Sequence, residues 1–132
     1  MSADAKTETA LNGLKVLDLS RILAGPSATQ ILGDLGADII KIEHPDGGDD
    51  TRGWGPPFMH SPDGDRIEAS YFACCNRNKR SVVLDFNNSE DRDTLIKLAS
   101  KADVLVENFK PGSLAKFGLD FESLLKINRS LI

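Results

Sequence analysis

The chain has 132 residues, room for one domain and not for two. Its 40% hydrophobic and 27% charged residues form an ordinary globular mixture and argue against a disordered chain. Lys and Arg number 16 against 20 Asp and Glu, for a net charge of −4 and a pI near 5.1, which excludes the basic footprint of a nucleic-acid binder.

The apolar runs span a few residues, far short of the ~20 that cross a bilayer, so no membrane partner is expected. Residues 1–10 carry Asp4, Lys6 and Glu8 and read as a flexible N-terminus. They have neither the apolar stretch of a secretory signal nor the Arg-rich, acid-poor bias of a transit peptide. Cys74 and Cys75 are adjacent, which offers no disulfide framework and no metal spacing and fits a reducing compartment. The expected location is cytoplasmic, with mitochondrion and peroxisome as alternatives.

Lys15 to Leu19 predicts a first strand, and Ala28 to Leu35 takes up helical spacing with Pro26 near the helix start. Gly36 is the expected stop and Asp38 to Glu43 a second strand, giving β-α-β with parallel strands. His44 to Arg66 holds five of the 11 glycines and four of the six prolines and reads as a long loop anchored by Trp54 and Phe58. A short helix is expected over Glu68 to Cys75 and a third strand over Arg80 to Phe86. Ser89 is the candidate cap of a helix running from Glu90 to Ser100.

A fourth strand over Asp103 to Glu107 follows, then a short helix opened by Pro111-Gly112. The last helix, Phe121 to Ile127, is expected to turn Phe121, Leu124, Leu125 and Ile127 inward, and Ser130 to Ile132 reads as the entry to a fifth strand. Together these elements predict an α/β, Rossmann-like, mostly parallel sheet with helices on both faces. Ending on a strand entry, it reads as incomplete.

Four constellations carry chemistry, each beside a plainer reading. The turn Ser20 to Ser27 runs into a helix N-terminus, where free N–H groups can meet an anion; it is otherwise an ordinary tight turn without the G-x-G-x-x-G fingerprint. Asp49 and Asp50 beside Arg52 can pair with it or order the loop, and no third ligand suggests a metal. Asn76 to Ser81 sets three cations before a strand, either a phosphate grip or a solvated basic turn. Asn108 and Phe109 stand at a strand's carboxyl end, suited to a purine or pantetheine, or else to capping a turn and filling the core. His44 and His60 read as plain loop histidines, and Cys74 and Cys75 as small buried hydrophobes.

As an ordered set, several segments resemble the N-terminal part of the class III CoA-transferases. They are Leu11 to Arg21, Leu23-Ala24-Gly25-Pro26, Leu32 to Asp38, Lys41-Ile42-Glu43, Gly48 to Arg52, Trp54 to Phe58, Asn76 to Ser81 and Asp103 to Phe109. The resemblance covers residues 11–132, expected to be part of that family's CoA-binding domain, and Asp49 to Phe58 looks most like the branch using succinyl-CoA and dicarboxylic acids.

It implies an acyl-CoA:carboxylate CoA-transferase working on acyl-CoA and a small carboxylic acid. No prosthetic group or metal is implied, and the full-length form would be an interlocked homodimer. CoA would be held near Leu23, Ala24, His44, Leu84, Asn87, Asn108, Phe109, Lys110 and Lys116. Position 44 is commonly Arg in the family, and a His there is mostly neutral at pH 7. The family's nucleophilic aspartate lies beyond the point matching Ile132, so no catalytic residue is expected here. The alternatives are a non-catalytic CoA-binding or partner-binding remnant, or a piece of a related acyl-CoA racemase.

Overall fold

The computed structural model describes residues 9–132; the first eight positions of the expected flexible N-terminus lie outside the described residues. In chain order the elements are β1 (Lys15–Asp18), α1 (Ala24–Asp34), β2 (Asp38–Glu43), β3 (Phe58–His60), β4 (Arg66–Ala69), α2 (Ser70–Cys75), β5 (Lys79–Val83), α3 (Ser89–Ala99), β6 (Val104–Val106) and α4 (Phe121–Ile127). Short 3-10 turns cover Asp50–Gly53 and Ala115–Phe117.

β5, β2, β1 and β6 pair in that order, all parallel. Alternation along the strands divides the core in two. Leu17, Leu19, Ile42 and Leu84 pack with Leu95 and Ala99 of α3 and Leu124 of α4. Val16 and Ile39 point to the opposite face, against Leu32 of α1. Ile132 pairs in parallel beside β6, donating its N–H to Asp103 C=O at 3.1 Å and accepting from Leu105 N–H at 2.8 Å.

α1 begins four residues earlier than the sequence suggests, because Pro26 occupies its third position, where no intrahelical N–H bond is needed. Its end is as expected: Gly36 takes φ +102°, Gly36 N–H reaches Gly33 C=O at 3.0 Å, and Ala37 N–H reaches Leu32 C=O at 3.0 Å. α3 is capped by Asn88 rather than Ser89, its side chain accepting from the N–H groups of Glu90 and Asp91. In α4 only Leu124 is fully buried. Phe121 is 70% exposed, at the rim of a groove along β6, and Ile127 is also exposed. Asn128 takes the inward position instead and donates to Ala99 and Ala102 C=O at 3.1 and 2.8 Å.

The His44 to Arg66 stretch is more ordered than its composition suggests. β3 and β4 form an antiparallel hairpin with a register shift at Met59/His60. Trp54 does not anchor it from beneath: it is 46% exposed, edge-on to Tyr71 at 5.2 Å. The anchors are polar, Asp49 and Thr51, both buried.

Candidate functional site

A parallel order of third, second, first and fourth strand has its switch point between β1 and β6, where crossovers leave to opposite faces and open a crevice at the carboxyl ends. The chain leaves β1 there through Leu19 to Leu23. Ile22 has φ 72°, a left-handed conformation that a β-branched residue adopts only when its surroundings impose it. Those surroundings are visible. Asn108, beyond β6, accepts from Arg21 N–H at 2.9 Å and donates to Arg21 C=O at 2.7 Å. Ile22 N–H meets both carboxylate oxygens of Asp49 at 3.3 Å. Gly25 lies so close to β1 that a Cβ would stand 2.3 Å from Ser20 Cβ.

Beneath the turn runs a layer of buried charge on the α1 side of the sheet. Lys79 Nζ pairs with Asp18 at 3.0 Å, and Asp18 also accepts from Ser20 and Thr29 hydroxyls. Lys41 Nζ binds Asp49 at 2.9 Å and Ser20 C=O at 2.8 Å. Glu43 accepts two bonds from Arg52 at 2.7 Å, one from Ser81 and one from Asp49 N–H, and Arg52 also pairs with Glu68.

Burial pushes the Glu43 carboxyl up, yet the bonds from Arg52, Ser81 and Asp49 N–H outweigh it and hold it at about 2. Burial likewise opposes Asp49, and the bonds from Lys41 and Thr51 bring it below the usual carboxylate range. Burial pulls the Lys79 ammonium down against the pull of Asp18. Asp49 and Asp50 thus pair with Lys41 and Arg21 and not with Arg52; of the two sequence readings it is the ordering of the loop that Asp49 performs, accepting from the Thr51 N–H and hydroxyl.

The basic turn does not grip phosphate at this edge. Lys79 is buried on Asp18, while Arg77 and Arg80 pair with Asp34 and Asp38 at the amino-terminal edge of the sheet. Of the two cysteines only Cys75 is buried; Cys74 is exposed.

The residues expected to hold a ligand come from all four strand ends. Leu23 and Ala24 are exposed at the start of α1, and His44 follows β2 with Nδ1 accepting from Asp46 N–H at 3.0 Å. Leu84 is buried just past β5, and Asn87 is exposed in the next turn on Asp85. Asn108, Phe109 and Lys110 follow β6, and Lys116 lies in the second 3-10 turn, 4.6 Å from the Phe117 ring centroid.

Phe86, read from sequence only as a strand residue, joins these parts. Its ring lies 6.1 Å from Phe109 and 5.8 Å from Phe117, which brings the β5, β6 and 3-10 segments together. A groove of about 790 Å³ runs along the outer edge of β6, lined by Val106, Leu114, Leu119 and Leu131; it takes in Lys110 but none of the β1, β2 or β5 tips. Among the described residues no cluster of three His, Cys, Asp or Glu is placed to hold a metal, and no helix is long and apolar enough to cross a membrane.

An open parallel sheet with α1 on one face, α3 and α4 on the other, and polar groups gathered at the switch point defines an α/β protein of the doubly wound type. Residues 11–132 match the model of CoA-transferase family III, and the chain belongs to that family. It is 52% identical over 122 residues to the succinate–glutarate CoA-transferase of Agrobacterium fabrum, covering 92% of this chain and 30% of that protein. The human succinyl-CoA:glutarate CoA-transferase is 45% identical over 122 residues, covering 92% of this chain and 26% of the relative. The crystal structure of a CAIB/BAIF family protein from Brucella suis superimposes with a TM-score of 0.86 at 56% identity, over 92% of this chain and 31% of that one. The chain therefore spans about 30% of the length of the relatives it matches.

Proposed function

We propose that this chain is the CoA-binding portion of an acyl-CoA:carboxylate CoA-transferase that moves CoA from a donor such as succinyl-CoA to a dicarboxylic acid. The observation that carries the reading is convergence: in a chain of this family, the tips of four parallel strands bring Leu23, Ala24, His44, Asn87, Asn108, Phe109 and Lys110 to one edge. The names of the relatives, which print succinyl-CoA with glutarate or mesaconate, support the substrate class.

In this reading the adenosine end lies by His44 and Asn87. Lys110 and Lys116 offer ammonium groups to the phosphates. The pantetheine arm passes Phe109 toward the unpaired N–H groups that open α1. No aspartate of this chain takes the nucleophile's role, so residues 1–132 bind without transferring. Ile31 and Leu35, 57% and 45% exposed along α1, are apolar surface of the kind a partner subunit covers in a homodimer.

Calorimetric titration tests the reading. CoA is expected to saturate the chain, with ADP and pantetheine each binding more weakly than the whole molecule. A CoA titration without saturation overturns the binding role, and glutaryl-CoA formed from succinyl-CoA and glutarate by residues 1–132 overturns the non-catalytic one.

A further inference from the structure

We infer that Arg21 selects the acyl group by binding the free, distal carboxylate of a dicarboxylic acyl chain carried on CoA. The inference rests on the CoA site proposed above and adds what that site discriminates. A dicarboxylic acid joined to CoA through one carboxyl keeps a second, charged one, and a crevice that accepts it must supply a cation.

The cations beside the β1 turn are mostly committed. Lys41 and Lys79 are buried to 2% side-chain exposure in ion pairs with Asp49 and Asp18. Arg52 is held by Glu43 and Glu68. Arg21 differs. Its backbone is fixed on both sides by the Asn108 amide, whereas its side chain is 46% exposed at the switch point, two residues before Leu23. Its guanidinium carbon stands 5.4 Å from the Phe109 ring centroid, which steadies the group on the crevice side through cation–π attraction.

Among the described residues the carboxylate paired with it is Asp50, which makes a single contact at 3.5 Å and is itself 51% exposed. A pair of that kind contributes little to stability. An incoming carboxylate able to make a bidentate, charge-assisted pair displaces it at low cost. Asp50 then acts as a placeholder that keeps the guanidinium oriented while the crevice is empty.

The test compares succinyl-CoA with butyryl-CoA, in which a methyl group replaces the distal carboxylate, by calorimetry on the 132-residue chain. The expected preference for succinyl-CoA is about tenfold, the value of one charge-assisted contact. R21Q is expected to bring the ratio to near one, R21K to keep part of it, and D50N to raise it by removing the competing carboxylate. Equal affinities in the unsubstituted chain, or a ratio that survives R21Q, overturns the inference while leaving the CoA site standing. If neither thioester nor CoA itself binds, the site reading has failed and the inference falls with it.

Discussion

The side-chain amide of Asn108 holds both backbone polar groups of Arg21, its Oδ1 2.9 Å from the N–H and its Nδ2 2.7 Å from the C=O. One side chain thus joins the tip of β6 to the tip of β1 across the switch point. Both residues are exposed, so water replaces the lost bonds in N108A and the stability cost is about 1 kcal/mol rather than the larger penalty of a buried orphan. Urea denaturation measures it. A loss above about 3 kcal/mol would mean that the amide does more than close the turn.

Lys41 and Asp49 form the opposite case. Their side chains are 2% and 0% exposed. K41M strands the Asp49 carboxylate in the interior, and the expected loss is about 3–5 kcal/mol. Adding D49N removes the stranded charge and should recover a good part of it. Equilibrium denaturation of the two single variants and the double variant gives the coupling, and additive effects would show that the pair is not the element holding this loop.

Glu43 makes stability depend on acid. Its pKa falls from about 4.5 unfolded to about 2 folded, so the unfolded chain takes up the proton first. The contribution, about 3 kcal/mol by linkage, is fully present above pH 4.5 and is lost as pH falls toward 2. E43Q should flatten the acid limb of a stability-against-pH curve while lowering the plateau. An unchanged acid limb in E43Q contradicts the assignment.

The strand framework is legible in the sequence because the apolar runs are set apart by residues that interrupt them, Gly36 before β2 among them, whereas the cap of α3 lies one residue earlier than the sequence suggests, at Asn88 and not Ser89. The buried charge is not legible. Asp18, Lys41 and Glu43 alternate with Leu17, Ile40 and Ile42, a pattern that reads as one dry and one wet face. Here the second face is covered by α1 and the loop after β2, and pairing replaces water. Periodicity reports which residues share a face, not what covers it. For the same reason the sequence offers Arg52, their neighbour, as one partner for the aspartates of the loop after β2, whereas their partners Lys41 and Arg21 lie outside that loop. The β3–β4 hairpin is hidden in the sequence because its turn residues, Pro62-Asp63-Gly64, merge with the glycine- and proline-rich stretch around them.

The two thiols should be separable by their chemistry. Cys74 is exposed, whereas Cys75 is buried, and that burial pushes its thiol up to about 11. Titration with a disulfide reagent at pH 8 is expected to modify one thiol rapidly in the native chain and the second only on denaturation. Two equally fast thiols would mean that α2 does not stay packed on the β1 turn.

Amide chemical-shift mapping during a CoA titration decides whether the carboxyl edge of the sheet binds CoA. Saturable shifts are expected at Leu23, Ala24, His44, Asn87, Asn108, Phe109 and Lys110, drawn from all four strand ends. Shifts confined to Lys15, Asp38, Lys101 and Ala102, which line a small apolar pocket at the opposite edge, would contradict it, as would no saturable shift at all.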